Sequence, residues 1–311
     1  MPSIALIANP AAGLGLGARR LPAARSALEA DGPCAVWVTR GSGDEARCAA
    51  EACDRGADTI VALGGDGTWS RVAAVLAERY PDVRFAPMTA GSGNDLAKSL
   101  GLPADDYHAM TALARGSGDR RIDAGLVAGR YFFNAAGIGL DVAVVESLAR
   151  TRLLRGRARY LGAALMPLLT YHGLRASVAF ESEPPAVPRE LLTVVVCNGR
   201  RFGGLIRVAP EALVDDGRLD VVMVDAVAVP RRLSLFAAAT RGRHVGKPGV
   251  QLRRAERCVV RGDGSPFTYE ADGELYAFSG DALEFRCVPQ ALRVVAPGEG
   301  GTTIGNATVV S

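Results

Sequence analysis

Two short loops carry the residue types that phosphate chemistry needs. Gly64-Gly65-Asp66-Gly67-Thr68 follows the strand-like run Thr59 to Leu63, and a helical segment begins at about Thr68. Glycines let backbone N–H groups approach an anion closely, and the helix N-terminus adds the positive end of its dipole. Asp66 is poorly placed beside a bare polyphosphate, but fits if Mg²⁺ lies between them. The pattern returns in Thr89-Ala90-Gly91-Ser92-Gly93-Asn94-Asp95-Leu96-Ala97, with a hydroxyl at Ser92 and an acid at Asp95 opening a helix. Either loop alone could be a capped turn. Two at the ends of successive strands point to a polyphosphate site. A third acidic group, Asp272-Gly273-Glu274, suits work on a hydroxyl proton. In an extended strand its carboxylates would share a face, one orienting and one acting as base. The competing reading is an acidic hairpin turn.

The elements that position these loops alternate. Ser3 to Ala8, Ala35 to Thr39, Thr59 to Leu63 and Val83 to Met88 read as strands. Between and after them Ala18 to Ala30, Asp44 to Arg55, Thr68 to Glu78 and Asp95 to Leu100 read as helices. This predicts a parallel sheet with helices on both faces and ligands at the carboxyl ends of the strands. From about Ile122 onward strand-like runs dominate: Tyr131 to Ala135, Ala176 to Phe180, Leu191 to Val196, Leu219 to Val224, Cys258 to Arg261 and Leu283 to Val288. That half predicts a β-sandwich-like domain with one helical insertion, Val142 to about Tyr171. With 311 residues and 49% hydrophobic content, two domains are expected.

The net charge of +3 is too small to make nucleic acid the main partner. Met1-Pro2-Ser3-Ile4 lacks the basic start of a signal peptide, and Tyr160 to Tyr171 is too short to span a bilayer. The six cysteines form no C-x-x-C pair and the three histidines are scattered, which predicts a reducing cytoplasm and no zinc site. Arg150, Arg152, Arg155, Arg157 and Arg159 precede the apolar stretch Leu161 to Leu169, a pairing that could rest on anionic headgroups or be a solvated helix face beside a core helix. Gly13-Leu14-Gly15-Leu16-Gly17-Ala18 satisfies a dinucleotide-binding pattern, but its glycines come late after the strand and no ribose-binding acid ends the second strand. Gly242 to Pro248 has the wrong spacing for a Walker loop.

Taken in order, these segments resemble the diacylglycerol kinase catalytic-domain family, in its soluble bacterial lipid kinase branch. The resemblance rests on Asn9-Pro10, Gly64 to Thr68, Gly91 to Ala97, Phe133-Asn134-Ala135-Ala136-Gly137-Ile138-Gly139-Leu140-Asp141, Asn198-Gly199, Gly203-Gly204, Ala209-Pro210, Asp215 to Asp220 and Asp272-Gly273-Glu274. It implies a Rossmann-like three-layer α/β domain of the NAD kinase and diacylglycerol kinase type over 1–125, completed by 289–298. A β-sandwich-like lipid-substrate domain over 126–288 and a disordered tail over 299–311 follow. It further implies ATP and Mg²⁺ as cofactors. Asn9, Thr39, Gly64, Gly65, Asp66, Gly67, Thr68, Trp69, Ser70, Gly91, Ser92 and Asn94 would meet the nucleotide. Asp66, Asp95 and Asp123 would form an acidic network around Mg²⁺, Glu274 would be the general base and Asp272 would stand beside it. A structural metal in the second domain would take the Asp216 side chain and the carbonyls of Leu213 and Arg218. Ser92 replaces the commoner Thr, and Trp69-Ser70 stands where an aliphatic residue and Asn are usual.

The implied activity is transfer of the γ-phosphoryl group of Mg·ATP to a hydroxyl of a diacylglycerol-like membrane lipid. The protein would be cytoplasmic and touch the membrane peripherally, with no nucleic acid partner; a homodimer is compatible with this reading. The rivals are an NAD kinase, a sphingoid-base or ceramide kinase, and a lipid- or nucleotide-binding regulator without catalysis. Asn94-Asp95-Leu96-Ala97 and Asp272-Gly273-Glu274 favour the lipid branch.

Overall fold

A computed structural model describes residues 3–41, 43–91, 93–148, 156–181, 183, 187–263 and 267–297. The first unit runs β1 (Ile4–Ala8), α1 (Ala12–Ala30), β2 (Cys34–Val38), α2 (Asp44–Asp54), β3 (Thr59–Gly64), α3 (Asp66–Arg79), β4 (Arg84–Thr89), α4 (Asp95–Leu100) and α5 (Tyr107–Arg115). Strands β1, β3 and β4 are buried at every residue, as expected where helices cover both faces of a sheet. The order β2-β1-β3-β4 is parallel throughout, so the two glycine loops after β3 and β4, and the turn after β1, leave the same edge of the sheet.

β5 (Asp119–Val127) and β6 (Arg130–Phe132) lead into the second unit. That unit contains β7 (Ala135–Gly139), α6 (Leu140–Leu148), α7 (Gly156–Thr170), β8 (Leu174–Phe180), β9 (Arg189–Cys197), β10 (Leu219–Asp225), α8 (Val229–Ala239), β11 (Val250–Ala255), β12 (Arg257–Arg261), β13 (Phe267–Ala271) and β14 (Glu274–Phe278). One sandwich layer follows β14-β13-β7-β9-β10-β11, and the other passes through β8, β12 and the last strand, β15 (Ala282–Val295). Ile138, Val194 and Val196 of the first layer meet Val178, Val260 and Phe285 of the second in one apolar core. Helices α6, α7 and α8 cover the outer face of β9 and β10 through Val144, Leu168 and Leu235.

β15 joins the halves. Its start pairs with β12, and Arg293 and Val294 then run parallel to Arg84 and Phe85 of β4. β5 lies antiparallel along β15. The first sheet is therefore mixed, not purely parallel as the sequence pattern suggested, because the chain leaves and re-enters it in opposite directions. Among the described residues no helix is long and apolar enough to cross a membrane. The expected disordered tail, 299–311, lies outside the described residues.

Candidate active site

The two glycine loops are interlocked. Ala90 N donates to the Gly64 carbonyl at 2.6 Å, and a Cβ added to Gly91 would stand 2.6 Å from the Gly65 Cα. A Cβ on Gly13 would meet the Ala90 carbonyl, so this glycine lets the turn after β1 pack against the second loop. Asn9 ties the first turn together: its Nδ2 donates to Thr68 Oγ1 at 2.9 Å and to Glu45 Oε1 at 3.0 Å, and its Oδ1 accepts from Ala11 N. Thr39 is buried nearby, its N–H donating to the Ala8 carbonyl. Gly67 has no neighbour where its Cβ would be, which leaves the first turn of α3 open toward the cleft. Ser92 lies outside the described residues.

Under these loops the acids converge. Asp66 Oδ1 accepts from Asp95 N at 2.7 Å and Leu96 N at 3.4 Å. Asp95 Oδ2 accepts from Gly204 N at 2.6 Å, across the domain boundary. A Cβ on Gly93 would lie 2.5 Å from Asp66 Oδ2, so this glycine leaves room for the carboxylate. Burial, and then the like charge of Asp95, push the Asp66 carboxyl up to about 7; burial also raises Asp95. Asp66, Asp95, Asn134 and Asp272 line one cavity of about 130 Å³, walled on its apolar side by Val145, Leu148 and Phe202. Among the described residues, Asp95 Oδ1 and Asn134 Oδ1 are buried there without a hydrogen-bond partner. Orphaned oxygens beside two strained carboxyl groups are the surroundings a small cation would satisfy. Among the described residues no three His, Cys, Asp or Glu side chains complete a metal site by themselves. The donors present, the Asp66 and Asp95 carboxyl groups and Asn134 Oδ1, are oxygen atoms of the kind a hard divalent cation takes.

Asp272 and Gly273 form the two-residue turn between β13 and β14, both at positive φ, with Ala271 paired to Glu274. The hairpin reading thus holds, and the expectation that Asp272 and Glu274 share a strand face is corrected. Asp272 turns inward and accepts from Ser70 Oγ at 2.6 Å, Phe133 N and Asn134 N at 2.9 Å, and Ala135 N at 3.2 Å. Glu274 faces an outer cleft of about 230 Å³ shared with Gly67, Ser70, Arg71 and Tyr276. It is ion-paired to Arg71 and accepts from the Tyr276 hydroxyl at 3.0 Å. Asp272 lines both cavities and so stands between them.

The description of the diacylglycerol kinase catalytic domain matches residues 3–127, and that of the YegS C-terminal NAD kinase beta sandwich-like domain matches 134–296. A Pseudomonas aeruginosa (strain UCBPP-PA14) protein named "Probable lipid kinase YegS-like" is 33% identical over 283 residues, with 86% of each chain covered. The chain belongs to the diacylglycerol kinase catalytic-domain family. A "Diacylglycerol kinase" of Mycobacterium tuberculosis (strain CDC 1551 / Oshkosh) is 29% identical over 303 residues, covering 96% of both. A crystal structure described as a diacylglycerol kinase from Bacillus anthracis str. Sterne shares the fold, with a TM-score of 0.72 at 19% identity, covering 95% of this chain and 97% of that one.

In this member of the diacylglycerol kinase family, some residues expected at the site stand elsewhere. Trp69 is fully buried in the first core, its indole N–H donating to the Ala62 carbonyl at 3.0 Å, so its side chain is not available to a nucleotide. Asp123 does not join Asp66 and Asp95 around the cavity. Its carboxylate accepts from Gly217 N at 2.7 Å and Gln290 N at 2.8 Å, fixing the loop that holds Leu213, Asp216 and Arg218. Within that loop Asp216 Oδ1 accepts from Arg218 N. Sequence reasoning missed Arg71, Glu45 and Tyr276. Arg71 follows Gly67 by one helical turn and so faces the same cleft, a signal that periodicity carries. Glu45, fully buried and 3.3 Å from Arg71, had none beyond its place in the first turn of α2.

Proposed function

We propose that the protein transfers the γ-phosphoryl group of Mg·ATP to a hydroxyl of a diacylglycerol-like lipid, working on the cytoplasmic side at the membrane surface. The observation that carries this is the single cavity where the carboxyl groups of Asp66, Asp95 and Asp272 meet an apolar wall from α6. Its walls suit a cation and phosphate on one side and a lipid carbon skeleton on the other. The names of the relatives support the same substrate class.

The nucleotide would lie along the interlocked loops, against Asn9, Thr39, Gly64 to Ser70 and Gly91 to Asn94, with Trp69 supplying backbone alone. Bound Mg·ATP would supply the transferable phosphoryl group and the cation that neutralises its charge. Asp66 and Asp95 would hold the cation. Glu274 would take the proton of the attacking hydroxyl at a carboxylate oxygen. Arg71 already touches the buried Glu45, so its charge keeps a partner when Glu274 disengages. Asp272, saturated by four donors, orients the hairpin that presents Glu274. In the second domain, Asp216 and the Leu213 and Arg218 carbonyls would hold a structural metal in the loop that Asp123 fixes.

The test is transfer of labelled γ-phosphate to a panel of lipids in mixed micelles, with NAD and a sphingoid base as comparison acceptors. Label on a glycerolipid that Glu274→Ala abolishes is the expected result. Label on NAD alone would overturn the lipid reading, and undiminished label with Glu274→Ala would overturn the base.

A further inference from the structure

Helix α7 has two apolar faces, and among the described residues only one is covered. Ala163, Ala164 and Leu168 are buried against the second domain, while Leu161, Leu165, Met166 and Leu169 are 45%, 52%, 59% and 42% exposed. Spacings of four and eight residues put the three leucines in a single stripe, with Met166 at its margin. No charged residue falls between Arg159 and Arg175, so the helix itself places no charge within the stripe. The helix is too short to cross a bilayer and the stripe is solvent-facing, the arrangement of a helix lying in an interface.

Charge identifies what would cover it. From Ser147 to Phe180 the sequence contains no Asp or Glu but carries Arg150, Arg152, Arg155, Arg157, Arg159 and Arg175. A segment of charge +6 in a chain of net charge +3 leaves the remainder net acidic (3 − 6 = −3). Spread over the whole of a second copy, three net negative charges make a much sparser anionic partner for this stretch than a surface of anionic headgroups. A bilayer with anionic headgroups matches both features, apolar side chains below and phosphates around them. The position fits as well. Val145 and Leu148 of α6 wall the catalytic cavity, while Glu146 and Ser147 of α6 line an outer groove of about 700 Å³ against Met166 and Thr170 of α7. One helix thus separates the carboxyl cluster from the exposed stripe.

We infer that the Leu161, Leu165, Met166 and Leu169 face of α7 is the surface by which the protein docks on an anionic phospholipid bilayer, presenting α6 and the catalytic cavity to lipid held in it. This rests on the lipid kinase reading for its purpose, not for its geometry.

The experiment is co-sedimentation with phosphatidylcholine vesicles, with and without phosphatidylglycerol, comparing wild type with the double variant Leu165→Asn, Leu169→Asn. Turnover of a water-soluble short-chain diacylglycerol and the sedimentation-velocity mass are measured on the same preparations. Wild type is expected to bind phosphatidylglycerol vesicles and to be released by salt, and the variant to bind at least about tenfold more weakly. Its short-chain turnover and mass should not change. Unaltered vesicle binding by the variant would overturn the docking face. So would a wild-type dimer that the variant converts to monomer without any change in vesicle affinity, since a second copy would then be the occupant. Stripe-dependent vesicle binding with no glycerolipid phosphorylated in any form would leave the surface standing and overturn the lipid kinase reading instead.

Discussion

A carboxylate that accepts hydrogen bonds from three backbone N–H groups and a hydroxyl has little left with which to take a proton, and Asp272 is in that position. Glu274 is not. Its partners are a guanidinium with a second carboxylate in reach and a phenol, and its side chain is 34% exposed in the cleft. Removing only its charge, as Glu274→Gln, should lower kcat by about 10²–10⁴ while leaving the KM for ATP near the wild-type value, measured by steady-state kinetics. A rate within a few-fold of wild type would shift the base to Asp66. The glycines make a separate prediction at this scale. The Gly91 Cβ would press on the Gly65 Cα at 2.6 Å, backbone against backbone, where no side chain can give way. Gly91→Ala should therefore spread the two loops, raising the dissociation constant for ATP at least about tenfold in a direct binding titration. An affinity equal to wild type would show that the loops do not jointly hold the nucleotide.

The β13–β14 hairpin couples the two domains through Asp272, held by Ser70, and Glu274, paired with Arg71. Asn is tolerated at the positive φ of position 272, so Asp272→Asn keeps the turn but sets an amide N–H₂ against backbone donors. It should cost about 1–3 kcal/mol in denaturant unfolding for the groups left unpaired, whereas Ser70→Ala, which removes one donor, should cost about 1 kcal/mol. If the two variants proved equal, the turn would not be what Asp272 holds. The same elements show what could be read in advance. Strands β1 and β3 were legible because burial on both faces writes a near-continuous apolar run, while in β4 the run Phe85 to Met88 follows the buried Arg84. Both glycine loops were legible because close approach demands glycine. Trp69 was misplaced although the signal was present: Trp69, Val72, Ala73 and Leu76 form an i, i+3, i+4, i+7 stripe that turns the indole inward. Helix α8 was missed despite Pro230 in its first turn. The roles of Asp123 and the mixed sheet were beyond local pattern, since each depends on β15 returning more than 150 residues after β5 with a register shift between Val288 and Leu292.

Across the whole molecule, the joint between the domains is built from buried polar groups. Asn198 donates to the Asp123 carbonyl at 2.9 Å and the Phe133 carbonyl at 3.1 Å, and Gly204 N reaches Asp95. Behind the hairpin lie two more acids, Asp141 and Glu270, with Asp141 Oδ2 and Glu270 Oε1 buried and without a hydrogen-bond partner among the described residues. Burial pushes Asp141 up to about 7 against the pull of the Thr193 hydroxyl, and burial with the nearby Asp141 charge raises Glu270. Both groups keep protons in the fold that the unfolded chain releases at about pH 4. The folded state then binds more protons than the unfolded one, so the Asp141 contribution is fully present below about pH 4 and is lost as pH rises through about 7, with Glu270 acting in the same direction. Burial raises Asp66 and Asp95 in the same direction. Asp44, held at about 2 by Arg47, acts in the opposite sense but only below that window. The thermal midpoint of the protein without nucleotide should therefore fall between about pH 5 and about pH 8, each ~1 kcal/mol lost appearing as about 2–4 °C. In Asp141→Asn, the amide oxygen can still accept from Thr193 while the titrating group is gone and Glu270 loses its like-charged neighbour. Scanning calorimetry at the two pH values should show a smaller fall for this variant than for wild type. An equal fall would mean that Asp141 is already ionised in the fold and that the burial argument for this pair is wrong.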